Sequence, residues 1–384
     1  MKGSASSSRT PIRPQRLGVL RSAFTLVELL LSMAILTVLM LVLISMVNQA
    51  SSLWLHTSAK IEEFREARNG FESITRRLSQ ATLNTYWDYN SPNNPTKYQR
   101  QSELRFISGF GLLKTVAPEL PRPTHSTFFY APLGFVRPTN PSDTACKDYQ
   151  GLENLLNLWG YFVEYADDSA ARPAFIRSAP HKRFRLMELM QPSHSVDIYA
   201  RQAKLSEGTP YVTPDWFQSA MTDTAELPRP AHVLAENIIA LVLLPKLSPS
   251  DQKKGGFNDS SLAPSYFYNS TGLDLSGITK LSTTANQTLN PTHQLPPIVQ
   301  VAMVAIDEGS AKRLGDKEIE DLQQEVDGLF RDPKRLVSDL TGKPVPPATG
   351  PSLEDYLRNK RINYRVFTSN VSIRAAKWSS NQKN

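Results

Sequence analysis

Cysteine is all but missing from this chain: 384 residues carry one, Cys146. An intramolecular disulfide is therefore excluded, and so is a cysteine-based zinc cluster. The fold has to rest on buried apolar surface, which a chain of this length can supply. Cys146 lies in the polar stretch "PSDTACKDYQG" and reads as a free thiol without a reactive role. Histidine is scarce and scattered, at His56, His125, His181, His194, His232 and His293, with no pair at the spacing of a helical metal site. Also absent are a G-x-S-x-G nucleophile elbow, a phosphate loop and a dinucleotide fingerprint. In "PSHSVDIYA", Ser193, His194, Ser195 and Asp197 are too close in sequence to form a hydrolase triad together, and a polar strand edge is the better reading. Asp143, Asp148, Asp167, Asp168 and Asp259 lack the spacing of a calcium loop. These absences lead us to expect no enzyme, no cofactor and no metal.

Acid is missing from residues 1–23, which hold Lys2, Arg9, Arg13, Arg16 and Arg21. The whole chain has 43 basic and 36 acidic residues, so subtracting these five leaves 38 against 36, a net of +2. The basicity belongs to the leader. Without a basic face interleaved with aromatics, no nucleic-acid partner is expected. Polar residues then become rare: Phe24 to Val47 is a run of 24 residues with one charge, Glu28. The run exceeds the roughly 20 apolar residues that cross a bilayer core and is too long for the apolar region of an ordinary secretory signal. The positive-inside rule puts residues 1–23 in the cytoplasm and the rest, after about Asn48, outside. A single-pass inner-membrane protein with an extracytoplasmic, periplasmic body is the expectation.

Glu28 is the anomaly, since a carboxylate deep in a membrane helix costs about 2.5–3.5 kcal/mol, and less near a helix end. It is either a tolerated interfacial residue or one with a cationic partner. A cut between Ala23 and Phe24 would create such a partner, an α-amino group four residues before Glu28. The stretch "RSA" followed by "FTLVELLLSMAILTVLML" resembles the prepilin-type signal of type IV pilins and type II secretion pseudopilins. That resemblance implies that Ala23 precedes the peptidase cut and that Phe24 becomes the N-methylated first residue. It makes Glu28 the fifth-position glutamate, which pairs with the terminal amine of an adjacent subunit during assembly. The implied partners are a prepilin peptidase/methyltransferase, other pilin or pseudopilin subunits and the inner membrane. Ala23 departs from the glycine usual before the cut.

The apolar helix is expected to continue. Leu53, Ile61, Phe64, Ala67, Phe71, Ile74 and Leu78 recur mostly at three- and four-residue steps, with Glu62, Glu63, Arg65, Glu66 and Arg68 on the other face. With no proline from Phe24 to Ala81, an unbroken helix there would span about 87 Å, softened locally at Gly70. Beyond it, short strands are predicted at 103–109, 126–132, 159–167 and 182–190, the last as one or two pairs with a solvated edge. "HKRFR" (181–185) reads as a solvated basic patch, and "GLENLLNLW" (151–159) as a short helix. "HVLAENIIALVLLP" reads as a turn or helical entry at 234–237 followed by a strand at 238–244; 296–307 reads as a second buried strand, and 362–374 as a closing pair. These last three segments resemble J-type minor pseudopilins, and the leader with its longer body resembles the Verru/Chthon-type cassette protein C.

The expected organisation is a cleaved leader (1–23), a transmembrane helix (24–47), its amphipathic continuation (48–81) and a β-rich body (82–245). A polar Ser/Thr/Asn/Pro loop (246–295), a core strand (296–307), a helical insertion (308–360) and C-terminal strands with a tail (361–384) follow. In the insertion, Ile319, Leu322, Val326 and Leu329 form an apolar stripe, and Ser352 with Asp355 forms a capping box. The expected fold class is α+β and pilin-like: a long N-terminal helix, membrane stem plus amphipathic half, packed on an antiparallel β-sheet with a charged helical insertion. The function expected is that of a minor pilin or pseudopilin-like structural subunit, extracted from the membrane into a filament. The alternative is a membrane-anchored extracytoplasmic binding protein that uses the leader only for export.

Overall fold

A computed structural model describes residues 25–89, 93–113, 122–134, 152, 154–167, 175, 182–193, 196, 217–221, 230–263, 265–270, 291–342 and 352–379. The chain divides into two units, 1–59 and 60–384. Helix α1, Leu26–Leu78, begins in the first and ends in the second. Its bounds fall inside the 24–81 expected from periodicity, because Thr25 caps the start and a turn at Ser79 and Gln80 ends it. In the first unit, residues 26–54 are exposed throughout, with leucine, isoleucine, valine and methionine on every side. In the second, Ala67, Phe71, Ile74 and Leu78 point into the core at steps of four, three and four, the stripe of a half-buried helix. Burying Phe71, Ile74 and Leu78 contributes about 1.5–3 kcal/mol each. Gly70, expected to soften the helix, instead lets it approach the sheet. A Cβ there would lie 3.3 Å from Ala235 Cβ and 3.3 Å from Leu186 Cδ2.

The body is α+β, with antiparallel sheets. A hairpin pairs β1 (Tyr86–Tyr89) with β2 (Tyr98–Gln101). Six strands form the larger sheet: β3 (Phe106–Phe110), β4 (His125–Pro132), β5 (Leu156–Ala166), β6 (Arg183–Gln191), β7 (Ala231–Glu236) and β9 (Tyr268–Asn269), in the order β7-β6-β5-β4-β3-β9. Three strands, β8 (Ile238–Lys246), β10 (Ile298–Ile306) and β11 (Tyr364–Ser372), form the smaller sheet in the order β11-β10-β8. One face of the larger sheet (Phe106, Phe129, Tyr161, Leu186) joins the main core with α1 and the smaller sheet. The other face (Ile107, Phe128, Phe162, Leu189) packs against Phe217 and Met221. Strand alternation sets this division, because successive side chains point to opposite faces.

A single residue carries the chain from one sheet to the other. Asn237, with φ +61°, separates β7 from β8. Its N–H donates to Phe184 C=O on β6 (2.7 Å), and its C=O accepts from Ile306 N–H on β10 (2.9 Å). Asparagine tolerates this left-handed conformation better than most residues. The expected entry at Leu234–Asn237 is thus the end of a strand and a one-residue corner.

Other expectations are corrected by pairing. Residues 151–159 do not form a helix where described; Leu156 opens β5, an 11-residue strand hydrogen-bonded to β4 and β6. The segment 182–190 is one interior strand with no solvated edge, since β6 pairs with both β5 and β7. The closing pair at 362–374 is one strand, β11. The expected polar loop 246–295 contains helix α2 (Pro249–Gly255), and it buries Leu262, Ala263, Tyr266 and Tyr268 in the main core. Between β10 and β11 lie α3 (Glu308–Arg313), α4 (Asp316–Gly328), α5 (Leu336–Thr341) and α6 (Leu353–Asn359). Ile319, Leu322, Val326 and Leu329 of this segment pack into the main core. Ser352 and Asp355 form a reciprocal capping box on α6.

Gly160 of β5 is a close-approach position: a Cβ there would lie 2.4 Å from Phe128 Cδ1 and 2.5 Å from Cε1. Gly160→Ala is expected to cost about 1–3 kcal/mol by overpacking. A lowered midpoint of denaturant unfolding, with unchanged slope, checks it.

Candidate functional site

The helix start is built by two residues. Thr25 N–H donates to Glu28 Oε2 (3.0 Å), Thr25 Oγ1–H donates to the same oxygen (3.0 Å), and Glu28 N–H donates to Thr25 Oγ1 (3.3 Å). This is a capping box, threonine at the cap and glutamate three residues on, which satisfies two backbone donors that a helix leaves open. Glu28 therefore has an intramolecular role that the reading of it as a carboxylate awaiting an amine left out. The signal was present in the sequence, since Thr-x-x-Glu before an apolar run is the pattern of such a box. Both accepted bonds fall on Oε2, and a carboxylate has about four acceptor sites on its two oxygens. An incoming cation can therefore join without displacing the cap. Ala23 and Phe24 lie outside the described residues.

Leu26–Trp54 is a helical run of 29 residues that contains an 18-residue window of mean hydropathy 2.8, with no residue of that window buried. That helix is long and apolar enough to span a membrane. Its exposed surface excludes a role as the core helix of this chain.

Among the described residues, Arg183, Arg185 and Asp259 of the charged groups singled out in the body are held by the fold, while Lys182 is exposed. The expected basic patch folds inward: Arg183 Nη1 bonds Glu236 Oε2 (2.8 Å) and Glu308 Oε2 (2.7 Å), and Asn237 Nδ2 also donates to Glu308 Oε2 (2.7 Å). Arg185 is buried, 3.6 Å from Glu236 Oε1, and donates to Asp167 C=O. Burial pushes the Glu308 carboxyl up, but the bonds from Asn237 and Lys312 and the Arg183 charge hold it below its ordinary value. His181, at the head of that patch, lies outside the described residues, as do Asp143, Cys146, Asp148, Asp168, His194, Ser195 and Asp197. Ser193 is buried. Asp259 accepts from Ser261 N–H (3.0 Å) as a turn residue.

Three polar features were not foreseen. Arg122 and Glu164 form a buried ion pair, 3.0 Å apart, with side chains 5% and 1% exposed. Arg122→Ala is expected to cost about 3–5 kcal/mol, because it strands a buried carboxylate. Glu164→Gln with Arg122→Ala should recover part of that loss, as read by chemical denaturation. Glu188 accepts from Tyr161 Oη–H (2.7 Å) and lies 3.1 Å from His232 Nε2. Burial pushes the Tyr161 hydroxyl well above its ordinary value, so it stays a donor. His125, fully buried, accepts Leu243 N–H at Nδ1 (3.0 Å) and lies with Nε2 3.2 Å from Phe330 C=O. It joins the larger sheet, the smaller sheet and the helical segment. Among the described residues no cluster of three His, Cys, Asp or Glu side chains is arranged to hold a metal ion.

No protein-family model, no curated protein and no solved structure matches the chain.

Proposed function

We propose that this chain is a minor pilin or pseudopilin-like structural subunit of a type IV filament or type II secretion-type assembly. The observation that carries the reading is a carboxylate in the first turn of an apolar helix whose whole surface is unburied. A peptidase cut after Ala23 places the N-methylated amine of Phe24 beside Thr25 and Glu28, and the helix lies in the inner membrane until extraction. In a bundle of such helices, Glu28 offsets a neighbouring subunit's terminal amine, and Thr25 holds the carboxylate at the helix mouth. The amphipathic half of α1 on an antiparallel sheet suits a pilin-like fold. The helical segment at 308–360 and the two sheets make a body too bulky for a close repeat, which favours a low-copy or tip position. The chemistry is assembly, with no catalytic turnover. Mass spectrometry of the protein isolated from cells tests the reading: a mature chain starting at N-methylated Phe24 supports it, and one retaining Met1 overturns it.

The capping box favours a second reading, a membrane-anchored extracytoplasmic binding protein in which Glu28 serves only its own helix. The substitution discussed first below separates the two.

A further inference from the structure

β11 is an edge strand, and its register decides which backbone groups face outward. Just before it, Asp307 N–H donates to Asn363 C=O (3.0 Å); just after it, Ile373 N–H donates to Pro297 C=O (3.0 Å). Between them the register runs from Ile306↔Tyr364 to Ile298↔Ser372 without a shift. Odd-numbered residues of this strand therefore bond β10. In an antiparallel ladder the alternate residues turn their N–H and C=O away. Tyr364, Val366, Thr368, Asn370 and Ser372 thus present theirs to the outer edge, and no strand pairs there among the described residues.

The opposite edge of the same sheet is treated differently. On β8, Leu241 N–H donates to Thr124 Oγ1 (3.0 Å), Leu243 N–H to His125 Nδ1 (3.0 Å), and Pro245 C=O accepts from Leu262 N–H (2.9 Å). One edge is closed by side chains and loop, and the other is open over nine residues, "YRVFTSNVS". That sequence is rich in strand formers and contains neither the proline nor the lysine that commonly blunts an edge.

The complement of a row of alternating N–H and C=O groups is another extended backbone. Charge selects which one. Arg358 and Arg361 line a cavity of about 560 Å³ at the start of β11, together with Phe64, Asp307, Asn363 and Tyr364. The Asp307 carboxylate there is taken up by Ser310 N–H and Asn363 Nδ2, and Arg358 lies 3.5 Å from Glu354, which leaves Arg361 as the cation without a carboxylate beside it among the lining residues. Arg365 is exposed on the strand, and Arg374 and Lys377 are exposed just past its end. A second copy pairing antiparallel would bring Arg361 and Arg365 toward the other copy's Arg374 and Lys377. In-register parallel pairing would stack Arg365 on itself. Like charges opposed in this way disfavour self-pairing.

We propose that β11 receives an extended acidic strand from another protein, with a carboxylate of that strand held at Arg358 and Arg361 in the cavity. The inference concerns the body alone and stands or falls independently of the assembly reading.

Full-length protein in detergent micelles is mixed with one of two fluorescent peptides of alternating valine and threonine. One ends in aspartates and the other in lysines. The aspartate peptide is expected to bind at least about tenfold more tightly, a difference of about 1.4 kcal/mol. It should slow amide exchange at Val366, Thr368 and Asn370, which exchange fast in the free chain, while Phe367 and Ser369 are slow throughout. Thr368→Pro removes an outward N–H without touching the β10 ladder, and it should weaken the peptide at least tenfold. The exposed double variant Arg358→Ala/Arg361→Ala should make the two peptides bind alike, which keeps the test valid if the proline variant fails to fold. Equal binding of both peptides to the unaltered chain overturns the proposal. So do slow exchange at Val366, Thr368 and Asn370 in the free chain, and a stable dimer formed through β11.

Discussion

Glu28→Leu is expected to leave membrane insertion intact and to cut in-cell crosslinking to neighbouring subunits by more than about a hundredfold. Removing the carboxylate favours insertion, because an acid near the start of a membrane helix is a cost. Losing its part of the box with Thr25 weakens the helix mouth by about 1 kcal/mol. On the proposed assembly reading, the large loss arises between subunits, where the neighbour's terminal ammonium would be left without its partner in a low-dielectric bundle, a penalty of about 3–5 kcal/mol. Glu28→Gln sharpens the test, since glutamine serves a capping box as glutamate does but carries no charge. If assembly is the carboxylate's role, the glutamine variant fails like the leucine variant. If crosslinking survives in both correctly inserted variants, Glu28 is only a cap and the anchored binding protein is the right reading.

Acid is expected to loosen the body as pH falls from about 6.5 toward 4. His125 and His293 are both held down to about 4 from 6.5, in each case by burial first. The Arg331 charge adds to this at His125, and Arg105 and Arg100 add to it at His293, against backbone bonds that favour the charged form. A depressed histidine is neutral in the fold while the unfolded chain takes up a proton near pH 6.5. Stability is therefore fully present above that pH and falls as pH drops, down to about pH 4, below which both states are protonated. At fully buried His125 the shift corresponds to about 3 kcal/mol, and partly exposed His293, screened by solvent, adds less. The geometry at His125 gives the same sign: a proton on Nδ1 would face the Leu243 N–H that it now accepts. Glu188, Glu308 and Asp355, each held below its ordinary value, lose their contribution only in the lower window as pH falls through their folded values. Urea unfolding at pH 7 and pH 4.5 measures the difference. His125→Gln should be less stable at pH 7 and should flatten the slope between the two, and an unchanged slope in that variant would refute the assignment to His125.

Local signals were legible where the chain interacts with itself over a few residues. The apolar run, the stripe Ala67, Phe71, Ile74 and Leu78, and the Ser352–Asp355 box depend on steps of three and four along a helix. The Thr25–Glu28 box belongs to the same class and was missed only because the lone acid drew attention to a partner outside the chain. Residues 151–159 misled for a different reason: a leucine-rich run fits a helix or a buried strand equally well, and its pairing with β4 and β6 decided. Arg183 and Arg185 looked solvated because their acids are far along the chain.

The amino-acid order alone determined the basic head, the apolar helix with its single acid, and the alternating runs that became strands. Those follow from hydropathy and charge within a few residues, and no fold is needed to compute them. The tertiary structure decided that β6 is interior and β11 an edge, that Arg183 is met by Glu308 across 125 positions, and that His125 reaches Phe330 across 205. Which strand ends a sheet, and which cation finds an acid, depends on contacts between distant segments. That closure is paid for by burial over the whole core, so no short window of the sequence contains it.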